Sequence, residues 1–433
     1  MISRRSFLAT GATGAAAVGL AACGDSGGST NPTDPAANKD KEVSLWIMEG
    51  TNANTSAYVT ALQEKFTEVT GATLKVDVQP WDGAHDKFVT ALSGGTGPDV
   101  AEMGTTWTPE FADAGGLDDL TDEVKEAGLD GDLVEALKEA GTLDGKLYGM
   151  PWYAGIRAIL ANREILEAAG VNSQPESWEE LLAMITTLKA HDPSLIPFPV
   201  AGASQFSAMP FVWGAGGKIA EEKDGKWTSM INSPASVEGL TWYTDLATKH
   251  EASTAAASTW KETDSLAQFQ EGRVAMFITG SWVPATIKAN NEDLYGKLVS
   301  FTIPAKTSAI APSFVGGSHL CRMTSSKEPA LAFELIKLMS TGEFANRWSE
   351  ETSFFPGTTS ALEESIAKAD DLTKVFATQM TDGGATVPVT PKWGEIEGKK
   401  TVLNLLNNVL AVGQDVQTAS DAAAKEMDEI FGA

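Results

Sequence analysis

The chain has 433 residues and carries 58 Asp and Glu against 32 Lys and Arg, a formal charge of −26. That length exceeds one small domain and accommodates two or three, each with a sizeable buried core. So large an acidic excess repels polyanions, which argues against nucleic acid as a partner, and its main effect is to keep the chain soluble.

Twin arginines, Arg4-Arg5, precede an uncharged Ala/Gly-rich stretch that ends in Leu20-Ala21-Ala22-Cys23. A basic start, an apolar middle and small residues before a cleavage point make residues 1–22 an export signal of the twin-arginine type. Ser6 to Ala22 falls short of the roughly 20 apolar residues that a membrane span requires. Leu-Ala-Ala-Cys resembles the lipobox of bacterial lipoproteins. It implies acylation at Cys23 and a place on the extracytoplasmic face of the cell membrane, with the lipid as the only membrane contact. Residues 23–41, rich in Gly, Ser, Thr, Asn, Pro and Asp, read as a flexible tether. Gly24-Asp25-Ser26-Gly27-Gly28 matches G-x-S-x-G only formally, because the strand and helix that motif needs are missing around it. With Cys23 committed to lipid, Cys321 is the one thiol left for the fold. An intramolecular disulfide is excluded, and the apolar setting of Cys321 suggests a small buried residue.

From Val43 the chain alternates. Val43 to Met48 reads as a strand, and Tyr58, Leu62, Phe66 and Val69 follow at helical spacing. A strand over Thr73 to Val78, a helix over Ala84 to Leu92 and a short strand near Pro98 to Met103 complete a β-α-β-α-β order, which implies a parallel sheet with helices on its faces. The turns Glu49-Gly50-Thr51, Trp81-Asp82-Gly83 and Gly104-Thr105-Thr106-Trp107 then open on one sheet edge, where such sheets bind ligands. After Leu147 to Pro151 the pattern restarts with a strand at Ile156 to Ala161 and a helix at Arg163 to Ala169. Ser177-Trp178-Glu179-Glu180 forms a capping box that opens a further helix to Lys189. Later helices are expected over Ser233 to Lys249, Asp264 to Glu271, Lys327 to Met339 and Lys399 to Val412. Strands are expected near Val274 to Ile278, Leu298 to Phe301 and Ser313 to Leu320.

Four segments in order resemble one family, the extracellular solute-binding proteins of bacterial ABC importers, in the sugar-binding class related to maltose-binding protein. They are Gly97-Pro98-Asp99-Val100 with Phe111 to Leu117; Asp144 to Pro151; Gly272 to Met276 with Gly280-Ser281-Trp282; and Phe314 to Ser318 before a helix. The overall look is nearest to actinobacterial di- and oligosaccharide binders of the diacetylchitobiose type. The resemblance implies an α/β fold of two discontinuous lobes joined by crossing hinge segments, of the periplasmic-binding-protein type II. Carried onto this chain, lobe one is 42–153 plus 317–350 and lobe two is 154–316 plus 351–433. The crossings fall near Tyr153 to Arg157, Phe314 to His319 and Phe354 to Pro356, with Gly155, Gly316 and Gly317 as hinge candidates. It further implies a monomer that captures a sugar, closes on it and delivers it to an ABC permease, with no cofactor, no metal and no catalysis.

Tryptophan outnumbers tyrosine by 12 to 5, and sugar binding supplies a reason, since the C–H face of a pyranose packs flat on an indole while its hydroxyls need polar groups around the rim. Trp46, Trp178 and Trp348 fall inside strand or helix patterns and read as core. Trp81, Trp107, Trp152, Trp213, Trp282 and Trp393 lie in expected loops, and some of them should face the cleft. Trp282 stands at the family's Gly-x-Trp position, and Tyr153 beside the first crossing ranks next. Polar candidates are Glu49, Asn52, Asp82 and Thr106 on strand-end turns, and Arg157 and His319 at crossings. The main rival is a secreted glycoside hydrolase, which needs two carboxylates about 5 to 10 Å apart that sequence spacing cannot reveal. A solute-binding protein for a peptide or polyamine is the other. His85, His191, His250 and His319 are too scattered for a metal motif, and there is no CxxC, Walker loop or G-x-G-x-x-G.

Overall fold

The computed structural model describes residues 31–52, 54–81 and 83–432, so Arg4, Arg5, Cys23 and Asp82 lie outside the described residues. The tether expectation needs correction from residue 31 onward. Pro35–Asn38 forms a helical turn capped by Asp34, whose side chain accepts from the Ala36 amide at 3.1 Å. Asn38 is fully buried and donates to the carbonyls of Asn31, Pro32 and Asp34 at 3.0–3.2 Å. The turn sits on Gly71, where a Cβ would fall 2.3 Å from the Pro35 carbonyl oxygen. A buried amide nitrogen that donates to three carbonyls and a glycine seat fold a segment whose composition alone reads as linker.

The first half follows the alternation: β1 (Glu42–Met48), α1 (Thr55–Thr70), β2 (Thr73–Gln79), α2 (Ala84–Gly94) and β3 (Val100–Gly104). β1 pairs in parallel with both β2 and β3. In α1 the buried residues are Tyr58, Leu62, Phe66 and Thr70, one stripe at four-residue spacing that covers the sheet.

β4 is far longer than the expected strand, running from Met150 to Asn162 with every residue buried. Its first half pairs antiparallel with β7 (Ser313–Arg322). Its second half pairs with β5 (Met276–Gly280) and β6 (Leu298–Phe301). β7 in turn pairs along Ser318–Arg322 with β3. These two strands therefore belong to both lobes, and the sheet runs β6-β4-β7-β3-β1-β2. The short strand Phe355–Pro356 lies against Ala154 and Tyr153. All three chain crossings thus meet at one waist. Gly317 belongs there by necessity: its φ is +152° and a Cβ would lie 2.0 Å from the Tyr153 carbonyl oxygen.

The apolar core divides at the waist. One cluster gathers Val43, Leu45, Leu62, Phe66, Leu335 and Trp348 on the β1–β3 side. Another gathers Ile159, Trp178, Phe211, Tyr243, Leu405 and Met427 on the far side. Gln205–Gly214 and Val416–Phe431 are helices that periodicity misses. The first is apolar around most of its girth and holds Pro210, and the second buries three alanines with Ser420, Met427 and Ile430. Cys321 is buried as expected, and burial pushes its thiol up to about 12. No described helix is long and apolar enough to cross a membrane. Among the described residues no group of three or more His, Cys, Asp or Glu is placed to hold a metal ion.

Candidate ligand-binding cleft

A cavity of about 530 Å³ opens between the lobes against the waist. Lobe one reaches it with the turns that follow its parallel strands: Glu49 and Thr51 after β1, Trp81 after β2, and Thr105, Thr106 and Trp107 after β3. The Trp107 amide donates to the Gly104 carbonyl at 3.0 Å and closes that turn, which brings the indole edge-on to Trp81 at 5.8 Å. Lobe two reaches it with Phe206 at the start of one helix, Trp282 just after β5, and Glu397 within Trp393–Gly398.

Strand alternation decides which waist residues face the cavity. Tyr153, Gly155 and Arg157 share one face of β4, and Phe314, Gly316 and Ser318 share one face of β7; all six line it. Trp282 stacks on Phe354 at 4.8 Å and 11°, and Phe206 on Phe314 at 4.2 Å and 10°. Trp282 lies this low because neighbouring strand positions are bare. A Cβ at Gly280 would sit 2.1 Å from its ring, and one at Gly155 would sit 2.7 Å from it.

The Arg157 guanidinium lies over Phe206 at 4.7 Å and Trp282 at 5.5 Å, with its Nε donating to Glu262 Oε1 at 2.7 Å. Ser204 donates to the same oxygen at 3.0 Å. Across the seam, the Thr106 hydroxyl of lobe one donates to Glu397 Oε2 at 3.0 Å, and Gln205 Nε2 donates to Oε1 at 2.9 Å. Desolvation between the lobes raises the Glu397 pKa against the pull of these donors. The Thr106–Glu397 hydrogen bond joins the two walls of the cavity in this structure. Behind the cavity, the buried Glu102 accepts from the Met48 amide at 2.7 Å, from Ser318 at 2.8 Å and from Tyr153. Burial raises its carboxyl to about 7.

Of the sequence candidates, the structure brings Glu49, Trp81, Thr106, Trp107, Tyr153, Arg157 and Trp282 to this cavity. Tyr153 forms its wall and offers no open ring face, since it is packed between Trp348 and Phe354 with its hydroxyl turned to Glu102. Five candidates lie elsewhere. Trp152 is buried in the core against Trp348 at 4.4 Å. Asn52 is buried and spends its amide on Glu351 at 2.7 Å and on the Asn54 amide at 2.7 Å. His319 faces away on β7: its Nε2 donates to the Leu137 carbonyl at 2.9 Å, which leaves Nδ1, 2.8 Å from the Thr108 hydroxyl, as the acceptor. Burial pushes His319 down to about 4. Trp393 is sealed in the lobe-two core. Trp213 borders a separate groove with Trp227 and Pro388. Phe206, Phe314, Phe354 and Glu397 were not singled out by sequence. Strand parity was the available signal for Phe314, which shares a face with Gly316.

A family model described as bacterial extracellular solute-binding protein matches residues 50–343. The diacetylchitobiose binding protein DasA of Streptomyces coelicolor is 27% identical over 411 residues, covering 94% of this chain and 93% of its own. Among solved structures, an ABC transporter solute binding protein from Thermotoga lettingae, bound with α-D-tagatose, superposes with a TM-score of 0.79 at 26% identity over 90% of this chain and all of its own. The GacH receptor of Streptomyces glaucescens, solved unliganded and with acarbose, gives a TM-score of 0.78 at 25% identity over 90% of this chain and 98% of its own. On a match that spans most of its length, the chain belongs to the bacterial extracellular solute-binding proteins, a family whose members bind solutes and do not convert them.

Proposed function

We propose that this protein captures a di- or oligosaccharide between its lobes and delivers it to an ABC permease, as a monomer held to the outer face of the cell membrane by lipid on Cys23. The observation that carries the reading is the inter-lobe cavity, walled by aromatic rings from both lobes and bridged by the Thr106–Glu397 hydrogen bond. Trp81, Trp107, Trp282 and Phe206 supply apolar faces for sugar rings, and Glu49, Thr106, Arg157 and Glu397 supply polar groups for hydroxyls. Sugar ligands of the relatives support the same reading. A few ring contacts at about 0.5–1.5 kcal/mol each, with several hydrogen bonds, reach the roughly −8 kcal/mol of micromolar binding.

Lobe one is assigned to 42–153 plus 317–350 and lobe two to 154–316 plus 351–433. Closure follows because a ligand touching both lobes binds the closed form better than the open one. The test is Trp fluorescence and melting temperature against chitobiose, cellobiose, maltose and trehalose, with small-angle scattering on the best binder. Saturable binding, compaction and recovery of intact sugar are expected. Recovery of cleaved sugar would instead favour a hydrolase, and silence across the set would favour a peptide or polyamine.

A further inference from the structure

The Arg157 side chain is nine-tenths buried and lines the cavity, yet among the described residues its only hydrogen bond is the one from Nε to Glu262. Its two terminal nitrogens therefore keep donors for something inside the cleft. Neither terminal nitrogen is sealed from solvent, so a ligand oxygen that accepts from them takes the place of cleft water. The nature of that acceptor follows from the surrounding charge. Glu262 already neutralises Arg157, and the only other charged residues among the described residues that line the cavity, Glu49 and Glu397, are acidic. An anionic ligand would meet the Glu49 and Glu397 carboxyl groups and a cation already paired with Glu262. An uncharged oxygen, a hydroxyl or an amide carbonyl, accepts from the terminal nitrogens without that repulsion.

Resting on the sugar reading above, we infer that Arg157 and Glu262 form a specificity pair that selects uncharged sugars and rejects acidic ones. Phe206 and Trp282 hold the guanidinium plane, so the fork is presented in one orientation. Glu262 sets the charge rule, and Arg157 makes the contact.

Calorimetric titration of the purified full chain tests this with cellobiose, maltose, trehalose and N,N′-diacetylchitobiose as neutral probes and digalacturonate as the acidic probe. The best neutral sugar is expected to bind at least 100-fold more tightly than digalacturonate. Glu262→Gln keeps an acceptor for Nε and for Ser204 but leaves Arg157 uncompensated, so it should narrow that ratio at least 10-fold. Arg157→Lys keeps the charge and loses the planar fork, so it should weaken the neutral sugar at least 10-fold with the ratio kept, which serves should Glu262→Gln fail to fold. Digalacturonate binding within 10-fold of the best neutral sugar, or an unchanged ratio in folded Glu262→Gln, overturns the inference and leaves the sugar reading standing. Silence toward all five probes overturns the sugar reading and this inference with it.

Discussion

The two halves of the cleft are built differently. Lobe one offers indoles from turns: Trp81 is 38% exposed and meets Trp107 at 63°, edge to face, with little packed around its outer side. Lobe two offers rings laid parallel on other rings, Trp282 on Phe354 and Phe206 on Phe314, over strand positions emptied by glycine. A ring on a turn is free to adapt to a ligand and does little for the fold. A ring stacked on the waist serves both, because the partner it covers is itself core. Removing rings from the two halves should therefore separate binding from stability in one half and not in the other.

The largest effect is expected at Trp282. Trp282→Ala uncovers Phe354 and leaves a void between two glycine-bearing strands, a large-to-small change worth about 3 kcal/mol of stability. Sugar affinity should fall by at least 100-fold. Urea unfolding at constant m-value, paired with titration of the best sugar, reads both. A loss of binding with unchanged stability would break the comparison, since Trp282 would then be a free ring like Trp81.

Next in size come two buried ionisable groups near the waist that titrate in opposite senses. His319 is pushed down to about 4 from an ordinary 6.5, so the unfolded chain takes a proton that the folded one refuses. Stability that His319 confers at neutral pH is lost as pH falls from about 6.5 to 4, on the order of 3 kcal/mol in all. Glu102 is raised from 4.5 to about 7, so the folded chain holds its proton longer, and its contribution grows as pH falls across the same range. His319→Gln, whose amide can replace both hydrogen bonds, should make melting temperature rise relative to wild type as pH drops from 6.5 to 4.5. Glu102→Gln should make it fall relative to wild type. Parallel profiles for the two variants would refute opposed titration at the waist.

Glu102→Ala is a smaller change at fixed pH. It strips the Met48 amide and the Tyr153 and Ser318 hydroxyls of a shared acceptor, at about 1–3 kcal/mol. The loss should appear in the denaturation midpoint.

Much of this arrangement was legible in the sequence. The β-α-β-α-β order placed three turns on one sheet edge, and those turns carry Glu49, Trp81, Thr106 and Trp107 into the cavity. Local context failed where tertiary packing overrules it. Trp393 follows Pro391 and precedes Gly394, which reads as loop, but Gly394 lies so close to Glu110 across the seam that a Cβ would fall 1.8 Å from its carboxylate, and the indole beside it is buried. Asn52 and His319 stand in the right segments and face the wrong way. Along β7 the parity that brings Phe314, Gly316 and Ser318 to the cavity turns His319 to the opposite side. Attention to tryptophan also hid the phenylalanines, because a stacked partner such as Phe354 is recognised only once the chain has brought residues 282 and 354 together. Glu397 has no local signal, since its partners Gln205 and Thr106 come from distant parts of the chain.

Trp81 gives the smallest effect on the fold and the sharpest reading of the comparison. Its ring is 38% exposed and touches Trp107 on one side and the cavity on the other, so Trp81→Ala should cost about 1 kcal/mol of stability, well below the loss at Trp282. A lost sugar contact of about 0.5–1.5 kcal/mol corresponds to a drop of roughly 2- to 10-fold in affinity. Because the ring stands on a turn of lobe one alone, that loss should appear mainly as faster release of the sugar, measured by stopped-flow fluorescence. A Trp81→Ala variant destabilised as much as Trp282→Ala would mean that the turn rings are structural too, and the two halves of the cleft would then differ in ring orientation and not in role.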